Sequence, residues 1–250
     1  MTLIPDSDNT DVGRYYIRGA VVLLYHSRQA LLNSLIKEDF LMQEFFDSTT
    51  GKVVVMAVIV VFLMLIAIGG KDKKKTDVRA LTISALMIAL ATVLGEIKVF
   101  SMPQGGSVTL FSILPIAVCG YLLGTRRGVM AGFCVGLLNL IFGPYVIHPV
   151  QLLMDYPIAF GAVGLAGLTR NSKNGLVKGY LIGLLCRYIC AVLSGVIFFG
   201  EYAPEGFNAW TWSLWYNLTY LAAEGAITVL VLFIPAVKNM FQNLRSQLAS

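Results

Sequence analysis

The stretch "PVQLLMDYPIAFGAVGLAGLTRNSKNGLVKGYLIGLLCRYICAVLSGVIFF", residues 149–199, holds two apolar runs joined by one short basic connection. Each run is close to the twenty or so mostly apolar residues that cross a bilayer as a helix. The connection carries Arg170, Lys173 and Lys178, and short loops rich in Lys and Arg face the cytoplasm. The stretch therefore reads as a membrane hairpin. Residues 149–168 run inward and residues 179–200 run out again.

The rest of the chain extends this reading in both directions. Downstream, residues 212–236 return inward to Lys238 and Arg245. Upstream, residues 78–97 run out, 108–124 return to Arg126 and Arg127, and 128–143 run out. A further span, "VVVMAVIVVFLMLIAIGG" at 53–70, precedes them and is followed at once by "KDKKK" at 71–75. Seven spans place every basic loop on one side. Residues 1–50 then lie outside. Their apolar positions Val21, Leu24, Leu31 and Leu35 have helical spacing, but His26, Arg28 and Gln29 interrupt it, which suits an amphipathic helix at the interface. Asp6, Asp8 and Asp11 stand where a cleavable signal would be basic.

The predicted architecture is an all-α integral membrane protein in four parts. Residues 1–50 form an extracytoplasmic segment, 51–76 an extra transmembrane helix with a basic linker, 77–240 a six-helix bundle, and 241–250 a cytoplasmic tail. The composition agrees: 57% of the 250 residues are hydrophobic and 13% charged, against about 25% charged in soluble domains. The net charge of +5 is accounted for by the short loops, and no basic groove with interleaved aromatics points to nucleic acid. Cys119, Cys134, Cys186 and Cys190 all lie in apolar runs and read as small buried hydrophobes rather than metal ligands. Spans such as "ALMIALA" and "GVMAGFCVGLLNLIFG" are rich in Gly and Ala. Small residues let helices approach closely in lipid, so the bundle is expected to be compact. No strong internal repeat is visible.

Ionisable groups inside a membrane are costly, which marks Glu96, Asp155, Arg187 and Glu224. Glu96 and Lys98 read as an interfacial pair. Asp155, beside Tyr156 and before Pro157, either receives a cationic or amine-bearing ligand or satisfies free backbone N–H groups at its helix start. Arg187 and Glu224 either pair and hold two helices in register or serve proton or conformational coupling. Asn217 and Glu224, seven residues apart, share a helix face. The outer loops "MPQGGSVTL" (102–110), "GPYVIHPVQ" (143–151) and "FFGEYAPEGFNAWTWSLWYN" (198–217) carry more polar and aromatic groups than membrane anchoring requires. Apolar walls with a few placed polar groups are the usual make-up of a ligand site. "GGKDKKKT" has glycines and lysines at the wrong spacing for a phosphate-binding loop, and neither a catalytic triad nor a metal cluster appears. The reading is a non-enzyme that needs no cofactor of its own.

The pieces "VRALTISALMIALA", "PQGGSVTLFSILPI", "GTRRGVMAG", "MDYPIAFGAVGLAGLTR" and "GVIFFGEYAPEG" with "SLWYN" together resemble the thiamine-specific substrate-binding (S) subunits of energy-coupling factor transporters. The resemblance covers about two thirds of the chain. It implies a six-helix bundle whose thiamine pocket opens to the outside. It also implies partners: a transmembrane coupling subunit and two ATPases. By the same resemblance Asp155 and Tyr156 meet the aminopyrimidine, Tyr145 is the outer-loop aromatic, and Gly195 is the close-approach glycine. Phe199 stands where some members have Trp, and Trp212 and Asn217 complete the sixth-helix wall. Gly106 and Ser107 belong to the first outer loop, where "PQGGSV" replaces the Trp and Glu of some members; Ala191 replaces a His. Ala85 and Ala89 match the small-residue pattern that docks the coupling subunit, or else serve ordinary helix packing. Residues 1–76 have no counterpart in the six-helix pattern. Two other readings stay open: a stand-alone proton-coupled importer using Asp155 and Glu224, and a membrane sensor using residues 1–76.

Overall fold

The computed structural model describes residues 78–249 continuously, together with individual positions between 26 and 57. The expected interfacial helix within 1–50, the first span at 53–70 and its basic cluster fall largely outside the described residues.

From Val78 onward the chain is almost wholly helical. Helix α1 (Val78–Glu96) leads into a short antiparallel hairpin, β1 (Lys98–Ser101) and β2 (Ser107–Thr109). Then follow α2 (Leu114–Leu123), α3 (Thr125–Asn139) and α4 (Pro149–Thr169). Helices α5 (Gly175–Phe198), α6 (Ala209–Phe233) and α7 (Pro235–Ala249) complete the chain. Four of them, α1, α4, α5 and α6, are long and apolar enough to cross a membrane. Their outward positions include Leu81, Leu185, Ile189 and Leu230, the last 70% exposed. So much outward apolar surface would be a liability in water and is at home in lipid. The protein is an all-helical membrane protein.

Three boundaries differ from the expectation. The run at 108–124 is not one span: Ser107–Thr109 is a strand, and the helix begins only at Leu114. Helix α2 has 10 residues, about 15 Å at 1.5 Å per residue, half of a bilayer core. Eight of those residues are buried, so α2 is the centre of the bundle. The next helix starts at Thr125, not at 128. The last span stops at Phe233, and Pro235 opens a separate helix where a tail was expected beyond 240. Proline lacks the N–H a continuing helix needs but suits a first helical turn.

The core gathers Ile113, Ile116, Val118, Val135, Phe160, Val163, Tyr180 and Leu232 around α2. Backbones approach closely between α3 and α4. Gly128, Gly132 and Gly136 lie on one face of α3 at four-residue spacing. A Cβ at Gly132 would collide with the Phe160 carbonyl, and one at Gly136 would lie 2.7 Å from Pro157 Cα. This is the close small-residue packing that holds helices together in lipid.

The two ends of the bundle differ in charge. At one end, Arg245 donates to the Arg170 carbonyl and to Asn171 Oδ1 (2.5 Å), and Arg79 donates to the Gln247 carbonyl (3.1 Å). Arg170 donates to the Leu122 carbonyl (3.3 Å), which brings the α2–α3 connection with Arg126 and Arg127 to the same end. The hairpin, the 140–148 loop and the 199–208 loop occupy the other end.

Candidate functional site

At the hairpin end a cavity of about 170 Å³ opens between α1, α4, α5, α6 and the hairpin. A water needs about 10–15 Å³ on this measure, so the space is that of a small organic molecule. All nine residues expected at a substrate site lie in its wall: Gly106, Ser107, Tyr145, Asp155, Tyr156, Gly195, Phe199, Trp212 and Asn217.

Helix α4 presents the acidic side. It starts at Pro149, capped by His148, whose Nδ1 accepts from Val150 N (3.1 Å). Pro157 cannot donate a backbone hydrogen bond, and the helix widens to a π turn over Met154–Ile158. Asp155 and Tyr156 sit in that turn. Gln151 Nε2 donates to Asp155 Oδ2 (2.7 Å) and to the Tyr145 carbonyl (3.1 Å). Tyr156 Oη accepts from Tyr145 N (2.8 Å). Gln151, 2% exposed, thus fixes both the carboxylate and the loop that carries Tyr145. A helix-start role for Asp155 does not apply, because it lies six residues beyond the first residue of α4.

Helices α5 and α6 meet at Gly195, where a Cβ would collide with Ser213 Oγ. Ser213 Oγ donates to the Val192 carbonyl (2.8 Å). Asn217 Nδ2 donates to the Ser213 carbonyl (2.9 Å) and the Ala191 carbonyl (3.3 Å), and its Oδ1 accepts from Tyr220 Oη (2.8 Å). Asn217 is therefore heavily committed to joining the two helices and keeps one lone pair of Oδ1 for anything in the cavity. Helix α6 begins at a capping box, with Asn208 Oδ1 accepting from Thr211 N (2.8 Å) and Thr211 Oγ1 accepting from Asn208 N (3.0 Å). That start fixes the angle of Trp212.

The aromatic wall has two runs of neighbouring rings. Tyr145 and Phe199 have ring centroids 5.9 Å apart, Trp212 and Tyr216 5.7 Å, and Tyr216 and Tyr220 6.0 Å. Tyr216 also ties the hairpin to α6. Its hydroxyl accepts from Gly106 N (3.0 Å) and donates to the Pro103 carbonyl. The hairpin turn needs positive φ at Gln104 and Gly105, a conformation that favours glycine. At Gly105 a Cβ would lie 2.7 Å from Tyr145 Cβ as well.

Arg187 and Glu224 do not pair. Glu224, 3% exposed, accepts from Thr109 Oγ1 (2.8 Å), Ser112 Oγ (3.1 Å) and Ile113 N (3.3 Å). It fastens the end of the hairpin to α6. The Arg187 guanidinium lies 4.0 Å from the centre of the Phe160 ring and borders the cavity. Glu96 and Lys98 also border the cavity. Ala85 and Ala89 are exposed on α1, away from the bundle. Gln151, Ser213, Tyr216 and Tyr220 were not singled out from sequence as site residues. Polar and aromatic side chains at four-residue spacing with Asp155 (Gln151) or Asn217 (Ser213), and at four with Trp212 (Tyr216), were the available signal. Among the described residues, no group of three or more His, Cys, Asp or Glu side chains is placed to hold a metal ion.

A membrane bundle with a small-molecule cavity at one end, walled by rings around a fixed carboxylate, defines a class of substrate-binding membrane proteins. Residues 81–243 match the family described as thiamine transporter protein, and the chain belongs to that family. The chain is 37% identical over 177 residues to the thiamine transporter ThiT of Bacillus subtilis, covering 64% of this chain and 91% of the relative. It is 36% identical over 138 residues to ThiT of Lacticaseibacillus paracasei, covering 48% and 69%. A solved structure of ThiT from Listeria monocytogenes superposes with a TM-score of 0.56 at 23% identity, covering 67% of this chain and 99% of that one. At that identity the likeness is one of fold.

Proposed function

We propose that the chain captures thiamine from outside the cell in this cavity, as the substrate-specific subunit of an ATP-driven energy-coupling factor transporter. Asp155 carries the reading. It is a carboxylate inside a membrane helix, held at one oxygen by Gln151 and bordering a cavity walled by aromatic rings. Such a wall suits a flat aminopyrimidine and a cationic thiazolium, which stack on rings and are attracted to their faces. Asp155 accepts from the exocyclic amine, and Tyr145, Tyr156, Phe199 and Trp212 enclose the two rings. Gly195 allows α5 and α6 to close on the ligand, Asn217 offers its remaining lone pair, and Gly106 with Ser107 forms the outer rim. Polar groups that a wrong ligand leaves unmatched in so enclosed a site make the selection.

Release inside is assigned to the partners, a transmembrane coupling subunit and two ATPases. The exposed Ala85 and Ala89 give the coupling subunit a flat surface for close helix approach. The basic end faces the cytoplasm under the positive-inside rule. The hairpin end faces out, the N-terminus lies outside and the C-terminus inside.

Calorimetry with thiamine on the purified chain tests the substrate. Saturable heat at a one-to-one ratio is expected, and its absence at micromolar protein overturns the assignment. Uptake tests the transport mode. Vesicles holding this chain alone should not accumulate thiamine under a proton gradient; if they do, it is a stand-alone importer.

A further inference from the structure

The basic end of the bundle carries a second depression, bordered by Tyr121, Lys173, Asn174, Lys238, Gln242 and Arg245. Three of its nine lining residues are cations, from two separate segments. Arg245 is fixed by the Arg170 carbonyl, by Asn171 Oδ1 and by the Tyr121 ring, 5.3 Å from its carbon to the ring centre. Lys238 is half-buried and Lys173 is exposed. The first turn of the 24-residue helix α5 starts at Gly175 in the same depression, and helix N-termini carry partial positive charge and free N–H groups. The described carboxylates, Glu44, Asp155, Glu96, Glu201, Glu205 and Glu224, all lie elsewhere: in the membrane interior, at the hairpin end or in the N-terminal segment. Nothing described at this end offsets the positive charge.

Helix α7 fixes the depth of this depression in the bilayer. It begins two residues after the last transmembrane helix ends. Val237, Phe241 and Leu248 pack on the core, while Met240 and Leu244 are exposed at 48% and 40%. The open side of α7 mixes Asn239, Gln242, Asn243, Ser246 and Gln247 with Met240 and Leu244, and so mixed a side on a helix that follows a membrane span suits the boundary of acyl chains and headgroups. The depression beneath it is therefore level with lipid phosphates.

We propose that this depression is a phosphate-binding site for an anionic phospholipid headgroup, held by Lys173, Lys238 and Arg245 with the α5 N-terminus. Basic pockets between helices on the cytoplasmic side are suited to such headgroups. The acyl chains would run beside Met240 and Leu244. The site is independent of the thiamine cavity at the far end.

The test uses the full chain, delipidated in neutral detergent. Phosphatidylglycerol, phosphatidylcholine or about 10 mM inorganic phosphate is added, and native mass spectrometry and the melting midpoint are read. Phosphatidylglycerol should leave a one-to-one adduct and raise the midpoint by about 5 °C, with phosphatidylcholine inert. The K173Q/K238Q double variant should lose both effects. R126Q/K178Q removes two exposed cations of the same end outside the depression and should keep them. A shift with inorganic phosphate alone, lost in K173Q/K238Q, supports the phosphate site and assigns it to a free anion. Equal adducts of the two lipids on the wild-type chain overturn the proposal without any variant. So does equal loss in both double variants, which would mean net charge alone.

Discussion

Asp155 shows how one residue acquires a role through its neighbours. Its carboxylate lies in a membrane helix, where an unpaired charge costs several kcal/mol. Gln151, one turn before it, satisfies one oxygen at 2.7 Å. Asp155→Ala should weaken thiamine binding at least about tenfold, the worth of one charge-assisted hydrogen bond of about 1.5–3 kcal/mol; calorimetry reads this directly, and unchanged affinity removes Asp155 from the site. Tyr156→Phe should act more mildly. It deletes the hydroxyl that accepts from Tyr145 N and leaves the ring, so a loss of about 1 kcal/mol, or roughly fivefold in affinity, is expected. The sequence marked Asp155 as an ionisable group inside a span and, by resemblance, Tyr156 and Gly195; the fold brings all three to one cavity. Gln151 and Ser213 went unmarked, since neither is unusual by itself and each matters only for what it holds.

At the scale of elements, two contacts set the cavity. The first is the glycine face of α3 against α4. A Cβ at Gly136 meets the backbone of Tyr156 and Pro157, so Gly136→Ala pushes on the very turn that carries Asp155. Overpacking of this kind costs about 1–3 kcal/mol. A lower melting midpoint together with weaker thiamine binding is expected, and binding unchanged at a normal midpoint refutes the coupling. The second is Glu224, which joins α6 to the hairpin end across 111–115 residues of chain. Glu224→Gln turns one carboxylate oxygen into a donor, which then faces either Thr109 Oγ1 or the pair Ser112 Oγ and Ile113 N. That mismatch should cost about 1–3 kcal/mol, seen as a lower midpoint and faster thiamine release. The second strand of the hairpin was hidden in the sequence, because "SVTLFSI" (107–113) runs without a charged residue into the apolar helix at Leu114. Hydropathy distinguishes buried from wet, but it does not separate a short strand from a helix. Of the two readings of Arg187 and Glu224, pairing across helices is not what the fold shows. In the fold the cation meets the Phe160 ring and the anion meets hydroxyls.

For the whole molecule, the charge asymmetry is what supports the proposed orientation. In a cysteine-free background, a cysteine placed at Glu205 should react with a membrane-impermeant maleimide on intact cells. One placed at Lys173 should react only after permeabilisation, and the reverse pattern inverts the topology. By itself the sequence determined the membrane class, the four long helices and the end-to-end charge difference, because each depends on composition summed over twenty or so residues. It also marked the carboxylate and, through the family resemblance, Tyr145, Tyr156, Phe199 and Trp212 but not Tyr216 or Tyr220. Only the tertiary structure decided that α2 is a short buried core helix, that residues 98–109 fold into a hairpin, and which partner each intramembrane charge takes. The reason is physical. Length and hydropathy are local sums, whereas a hydrogen bond or a backbone contact depends on which of many distant groups the packing brings within 3 Å.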